Sequence, residues 1–159
     1  MSLPPFDILQ FLDSPKTPAA VAAVRRRGGP ALGSLWYRFD ERRFWFTTRA
    51  GSSPFLSAAR QAQDVAVMVE IFAPPDFIRL VRATGAARIE ERDPARIERI
   101  YERYLGSDPS EWPELFRERL ADVDFTLWSV LAARGVAASF PQFQANEFRW
   151  NEPGQFLDR

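Results

Sequence analysis

ALGSLWYRF (Ala31–Phe39), FWFTT (Phe44–Thr48), VAVMVEIF (Val65–Phe72) and FIRLVRATGAARIE (Phe77–Glu90) are the runs on which the fold turns. Each is rich in β-branched and aromatic residues or alternates along the chain, which is the pattern of strands rather than of an amphipathic helix. Along the first, period-two spacing places Leu32, Ser34, Trp36 and Arg38 on one face and Ala31, Gly33, Leu35, Tyr37 and Phe39 on the other. Asp40-Glu41-Arg42-Arg43 turns the first run into the second. Ala73-Pro74-Pro75-Asp76 turns the third into the fourth, predicting a long hairpin with Gly85 as a bend or bulge. Between the second and third runs lies Thr47-Thr48-Arg49-Ala50-Gly51-Ser52-Ser53, a turn whose hydroxyls and guanidinium make a plausible anion site. The plainer reading of that turn is a polar strand end followed by a helix cap, with no ligand.

Working outward, Ser52 or Ser53 can cap a helix through Phe55, Leu56, Ala59 and Ala62, with Pro54 in its first turn. Ala19 to Arg25 reads as a strand ended by the turn Arg26-Arg27-Gly28-Gly29-Pro30, making a hairpin with the first run. Phe6, Ile8, Leu9, Phe11 and Leu12 form a short apolar helix stopped by Pro15 and Pro18, so residues 1–16 are an N-terminal helix or lid. Residues 93–121 read as two inserted helices. One is opened by Asp93-Pro94 and stopped by Gly106, with Ile97, Ile100, Tyr101, Tyr104 and Leu105 on one side. The other starts at Asp108-Pro109 and carries a stripe of Trp112, Leu115, Phe116 and Leu120. Phe125 to Leu131 and Val136 to Phe140 close the sheet, and Glu147 to Trp150 adds a last short strand. Without regular strand–helix alternation or a dinucleotide glycine fingerprint, the order argues for an antiparallel α+β barrel over a doubly wound sheet.

With 159 residues, 46% of them hydrophobic, one globular domain over 1–159 is expected. Lys plus Arg and Asp plus Glu number 21 each, so no bulk charge favours nucleic acid or an anionic membrane as partner. The chain has neither Cys nor His. That removes thiolate nucleophiles, imidazole bases and the usual zinc and haem ligands, so no metal site is expected and chemistry must rest on carboxylates, hydroxyls, Tyr, Arg or a bound cofactor. Met1 to Asp13 lacks a basic leader, and no apolar run reaches the roughly 20 residues of a bilayer span. A cytoplasmic protein is the expectation.

Pro30–Asp40, Phe44–Thr48, Gly51-Ser52-Ser53 and Asp64–Glu70, followed by Thr84–Glu90 and the helix ending Tyr101-Glu102-Arg103-Tyr104-Leu105-Gly106, resemble the pyridoxamine 5′-phosphate oxidase-like FMN-binding split barrels. The resemblance spans roughly residues 17–151. It implies a mainly antiparallel α+β fold, a six- to seven-stranded split β-barrel with peripheral helices. It also implies a homodimer holding a flavin, FMN or the related deazaflavin coenzyme, in the groove between protomers, and redox transfer to a small-molecule substrate. By the same resemblance Thr47, Thr48, Arg49, Ser52 and Ser53 would meet the phosphate, and Ser34, Leu35 and Trp36 would lie along the flavin ring. No catalytic side chain is implied.

Where members of that family commonly carry a Ser-Arg-Lys run at the loop-to-helix junction, this chain has Ser52-Ser53-Pro54-Phe55. Arg49, or Arg60 further into the helix, is then the available positive charge. The alternative is a non-catalytic split-barrel dimer that has lost tight cofactor binding and acts as a ligand-binding or scaffold protein. Trp36, Trp45 and Trp128 also read as core or dimer contacts, and Tyr101 and Tyr104 as helix packing. Arg79, Arg82 and Arg88 read as a solvated strand face. Glu90-Glu91 and the pair Asp122 and Asp124 show no spacing that marks an acid–base pair.

Overall fold

The computed structural model describes residues 3–140 and 146–155. Among these residues nine strands form one sheet: β1 Ala19–Val24, β2 Pro30–Leu35, β3 Arg38–Asp40, β4 Arg43–Arg49, β5 Asp64–Ala73, β6 Phe77–Ile89, β7 Phe125–Leu131, β8 Arg134–Phe140 and β9 Asn146–Trp150. Four helices join them: α1 Ile8–Asp13, α2 Pro54–Arg60, α3 Pro94–Leu105 and α4 Glu114–Ala121. The sheet runs β2-β1-β5-β6-β7-β4-β3, with β8 on β6 and β9 on β8, and every pairing is antiparallel. Since β2 and β3 end that order yet are joined only by Trp36 and Tyr37, the chain itself links the two ends of the sheet and curls it into an α+β split barrel.

The strand count exceeds the six to seven expected. One reason is that the run 31–39 divides into β2 and β3. The Tyr37 amide donates to Tyr104 Oη at 3.1 Å instead of to a strand, so a side chain 67 residues away ends the ladder there. The other is that residues 146–150 pair in full with β8.

β6 is the pivot. It pairs β5 along one edge, while its other edge meets β8 from Ile78 to Thr84 and β7 from Ala87 to Ile89. Gly85 stands at the fork, where a Cβ would sit 1.8 Å from the Leu131 carbonyl oxygen. The β5 ladder passes through Gly85 in unbroken register, so close backbone approach, not an inserted bulge residue, demands glycine.

Alternation along β4 builds two apolar clusters from one strand. Phe44 and Phe46 point into the barrel with Val21, Val65, Val67, Val81 and Trp128, while Trp45 points out. Each such fully buried large side chain contributes about 1.5–3 kcal/mol. α2 is capped by Ser53, with Pro54 at its start, and sends Phe55 inward to stack on Trp128 at 6.0 Å. Gly33 makes room for it, since a Cβ there would lie 2.9 Å from the Phe55 ring. α1 closes one end with Ile8, Phe11 and Leu12. Tyr37 Oη donates to Leu12 O at 2.8 Å and accepts from Arg103 Nη2 at 2.8 Å. Burial pushes this phenol well above its ordinary value, against the lowering effect of Arg103.

α3 begins at Asp93-Pro94 and ends at Gly106 (φ 92), as the sequence predicts, and lays Ile97, Ile100 and Tyr101 against Trp45 and Leu127 on the outer face. The predicted second helix is shorter. A 3-10 turn at Pro109–Glu111 is followed by extended Trp112 (ψ 151), and only then by α4. A residue preceding proline avoids the helical region, and Pro113 enforces that break. Trp112 is buried as expected, but Leu115 of the predicted stripe is 52% exposed. Among the described residues no helix is long and apolar enough to cross a membrane.

Candidate functional site

Outside the barrel, the end of β2, the outer face of β4, α3, α4 and the start of β7 enclose a cleft of about 320 Å³. Ser34, Leu35, Trp36, Thr47, Tyr101, Phe116, Arg119 and Phe125 line it. Among the described residues β2 ends the sheet order, so one of its edges carries backbone N–H and C=O groups without a strand partner there. The wall beside that edge is aromatic. Trp36 is sandwiched between Tyr104 at 4.6 Å and Phe116 at 4.9 Å, both rings nearly parallel to it. Tyr104 also fixes this corner, donating to Thr17 O at 3.1 Å while accepting the Tyr37 amide. Burial raises the Tyr104 phenol, opposed by the Tyr37 amide and Arg103.

Of the predicted site residues, the structure brings Ser34, Leu35, Trp36 and Thr47 together in this cleft. Thr47 Oγ1 lies 3.4 Å from Tyr101 Oη, leaving a hydroxyl pair at its floor. Thr48, next along β4, points inward and accepts from Trp128 Nε1 at 2.9 Å. Arg49 returns to the outer face opposite Phe125 in the β4–β7 ladder; its guanidinium sits 4.7 Å from the Phe125 ring and 3.6 Å from Asp122 Oδ2. That ion pair is exposed, so it holds the guanidinium weakly. Ser52 is exposed on the turn beyond. The Ser53 hydroxyl accepts from the Leu56 amide at 3.3 Å as the α2 cap. The predicted loop therefore splits, with Thr47 and Arg49 facing the cleft side and Ser52 and Ser53 serving the turn and helix.

Tyr101, Phe116, Arg119 and Phe125 were not expected here. Tyr101 and Phe116 carried a helical-stripe signal that reads as packing. The link from α4 to β7 that positions Arg119 and Phe125 is held by Arg92, which donates to the carbonyls of Leu120, Asp122 and Phe125 at 2.6, 3.1 and 3.3 Å. Among the described residues, no group of three or more acidic, His or Cys side chains could hold a metal ion.

Solved structures settle what kind of barrel this is. A conserved hypothetical protein from Mycobacterium tuberculosis shares 22% identity and a TM-score of 0.66, over 86% of this chain and 85% of that one. A Clostridium acetobutylicum protein related to general stress protein 26, of the pyridoxinephosphate oxidase family, shares 15% identity and a TM-score of 0.56, over 88% and 89%. The fold is that of the pyridoxamine 5′-phosphate oxidase-like split barrels. An F420 reductase matches this split barrel at 20% identity and a TM-score of 0.55, over 86% of this chain and 99% of that one. A haem-binding protein and an FAD- and haem-binding protein from Mycobacterium smegmatis and a haem storage protein from Vibrio cholerae are among the further matches. No protein-family model and no curated protein matches the chain.

Proposed function

We propose that this split barrel is a flavin-dependent oxidoreductase, holding FMN, or alternatively the deazaflavin coenzyme, in the outer cleft and acting on a small organic substrate. One observation carries the reading: the cleft joins Ser34, Leu35 and Trp36 at an open strand edge to Thr47 and, through Phe125, to Arg49. An open backbone edge, aromatic walls and a guanidinium at one end suit a planar, hydrogen-bonding ring with an anionic tail. The cleft is small for a whole nucleotide, so in this proposal a second protomer lies against it and completes the enclosure.

A bound flavin supplies reversible two-electron transfer, which is how a chain with neither His nor Cys can support redox chemistry. The β2 edge orients the ring. Trp36 and Phe116 exclude water beside it, the Thr47 and Tyr101 hydroxyls offer hydrogen bonds, and Arg49 attracts the phosphate. Without His, a haem would lack its usual axial imidazole, which favours flavin over haem.

The second reading, a split barrel that binds no cofactor tightly, also has its observation. Phe55, at the junction where basic residues would be expected, is buried in the barrel, and both faces of Trp36 are covered. The visible spectrum of the purified protein, with separate titrations of FMN and the deazaflavin, decides between them. Dissociation constants below about 100 μM, some 5.5 kcal/mol of affinity, support the first reading; a colourless protein that binds neither leaves the second. Light scattering at micromolar concentration should show a dimer, and a monomer would contradict the shared groove.

A further inference from the structure

Arg119 stands apart from the other arginines packed around α3 and α4. Arg92 donates to three carbonyls, Arg96 meets Asp40, Glu41 and Asp93, and Arg103 donates to Asp13 O, Pro15 O and Tyr37 Oη. The Arg119 side chain has neither an ion pair nor a hydrogen bond among the described residues, and its Nε, like those of Arg38 and Arg103, is shielded from water without a hydrogen-bond partner. A buried donor left unmade costs free energy and calls for an acceptor. The guanidinium lines the cleft, 5.3 Å from the Phe116 ring and 5.0 Å from the Phe125 ring. Arg49 lies 4.7 Å from that same Phe125 ring, so one phenyl group carries two guanidinium neighbours, from β4 and from α4. Asp122 offsets part of the Arg49 charge at 3.6 Å, leaving the corner cationic.

We infer that Arg119 and Arg49 form a two-guanidinium clamp that takes the phosphate group of the cleft's ligand. The inference rests on the flavin reading above and adds to it the residue that supplies the charge missing at Pro54-Phe55. Arg119 reaches the site from a helix remote in sequence from the turn at 47–53, held in place by the Arg92 contacts. Both guanidinium groups neighbour the Phe125 ring, and phosphate offers acceptor oxygens enough to serve both.

Equilibrium titration of the full-length protein with FMN and with riboflavin, which lacks the phosphate, tests the clamp. Wild type should bind FMN roughly tenfold or more tighter than riboflavin. Arg119→Met should remove most of that preference while leaving riboflavin affinity within about twofold, and Arg119→Lys should restore part of it. An unchanged preference in Arg119→Met, or no preference in wild type, overturns the clamp and leaves flavin binding standing. A second arm needs no flavin: inorganic pyrophosphate should raise the melting temperature of wild type and not that of Arg119→Met. If wild type binds no flavin but shows this rise, the flavin reading fails and the clamp survives; no rise in wild type overturns the clamp whatever the flavin result. Circular dichroism of both variants confirms that they are folded.

Discussion

The barrel interior and the outer cleft share β4 as a common wall and differ in almost everything else. Inside, Phe44 and Phe46 are fully buried among aliphatic and aromatic neighbours, and the Thr48 hydroxyl is paired with the Trp128 indole. Outside, Trp45 is buried under α3 while Thr47 is half-buried and Arg49 exposed; α4 has no fully buried residue, and the Nε of Arg119 is left unsatisfied. One strand thus serves a closed core on one face and an open, polar-edged aromatic surface on the other. Stability should reside in the first and ligand recognition in the second.

The largest effect expected is on the inner face. Phe46→Ala should destabilise the fold by about 3–5 kcal/mol, the usual loss for a large buried aromatic, measured by urea unfolding. A loss under about 1 kcal/mol would place the core elsewhere. On the outer face, Arg49→Ala should weaken FMN binding by about 1.5–3 kcal/mol and shift unfolding by no more than about 0.5 kcal/mol. If stability moves and affinity does not, the division between the two faces is wrong.

Tyr37 lies where both regions meet. Tyr37→Phe leaves Leu12 O without this donor and Arg103 Nη2 with Pro15 O as its remaining acceptor, and should cost about 1–2 kcal/mol. The pH dependence sharpens this. The folded state keeps the Tyr37 proton above the region near pH 10 where an unfolded tyrosine loses it, because burial raises this phenol. The resulting stability is fully present below about pH 10 and is lost as pH rises beyond it. Tyr37→Phe should flatten that decline by at most about 1.4 kcal/mol per pH unit. Tyr104, raised in the same direction, should retain part of the slope. The smallest effect belongs to the exposed Arg134–Asp64 pair at 2.7 Å, where Asp64→Asn should change stability by less than about 1 kcal/mol.

Most of the strand order was legible because local patterns and tertiary packing agree. Ser53-Pro54 and Asp93-Pro94 mark their helix starts through caps that do form, at 3.3 Å and 3.1 Å. The break at Trp36-Tyr37 was not legible, since alternation continues through it and the partner that ends the strand is Tyr104. The division at Pro113 carried a local signal, the residue before proline, that the apolar spacing of Trp112, Phe116 and Leu120 outweighed. For the cleft, Ser34, Leu35, Trp36 and Thr47 were reachable by resemblance to a family. Phe116, Arg119 and Phe125 were not, because α4 joins β4 only through folding and nothing in the spacing of a half-exposed helix distinguishes a ligand wall from packing.

The central claim is that the outer cleft, and not the barrel interior, receives the ligand. A crystal structure of the protein grown with FMN tests it most directly. The expected result is a ring lying against Ser34, Leu35 and Trp36 with its phosphate at Arg49. A flavin bound elsewhere, or a cleft still filled by Phe116 with no flavin present at saturating concentration, would contradict it.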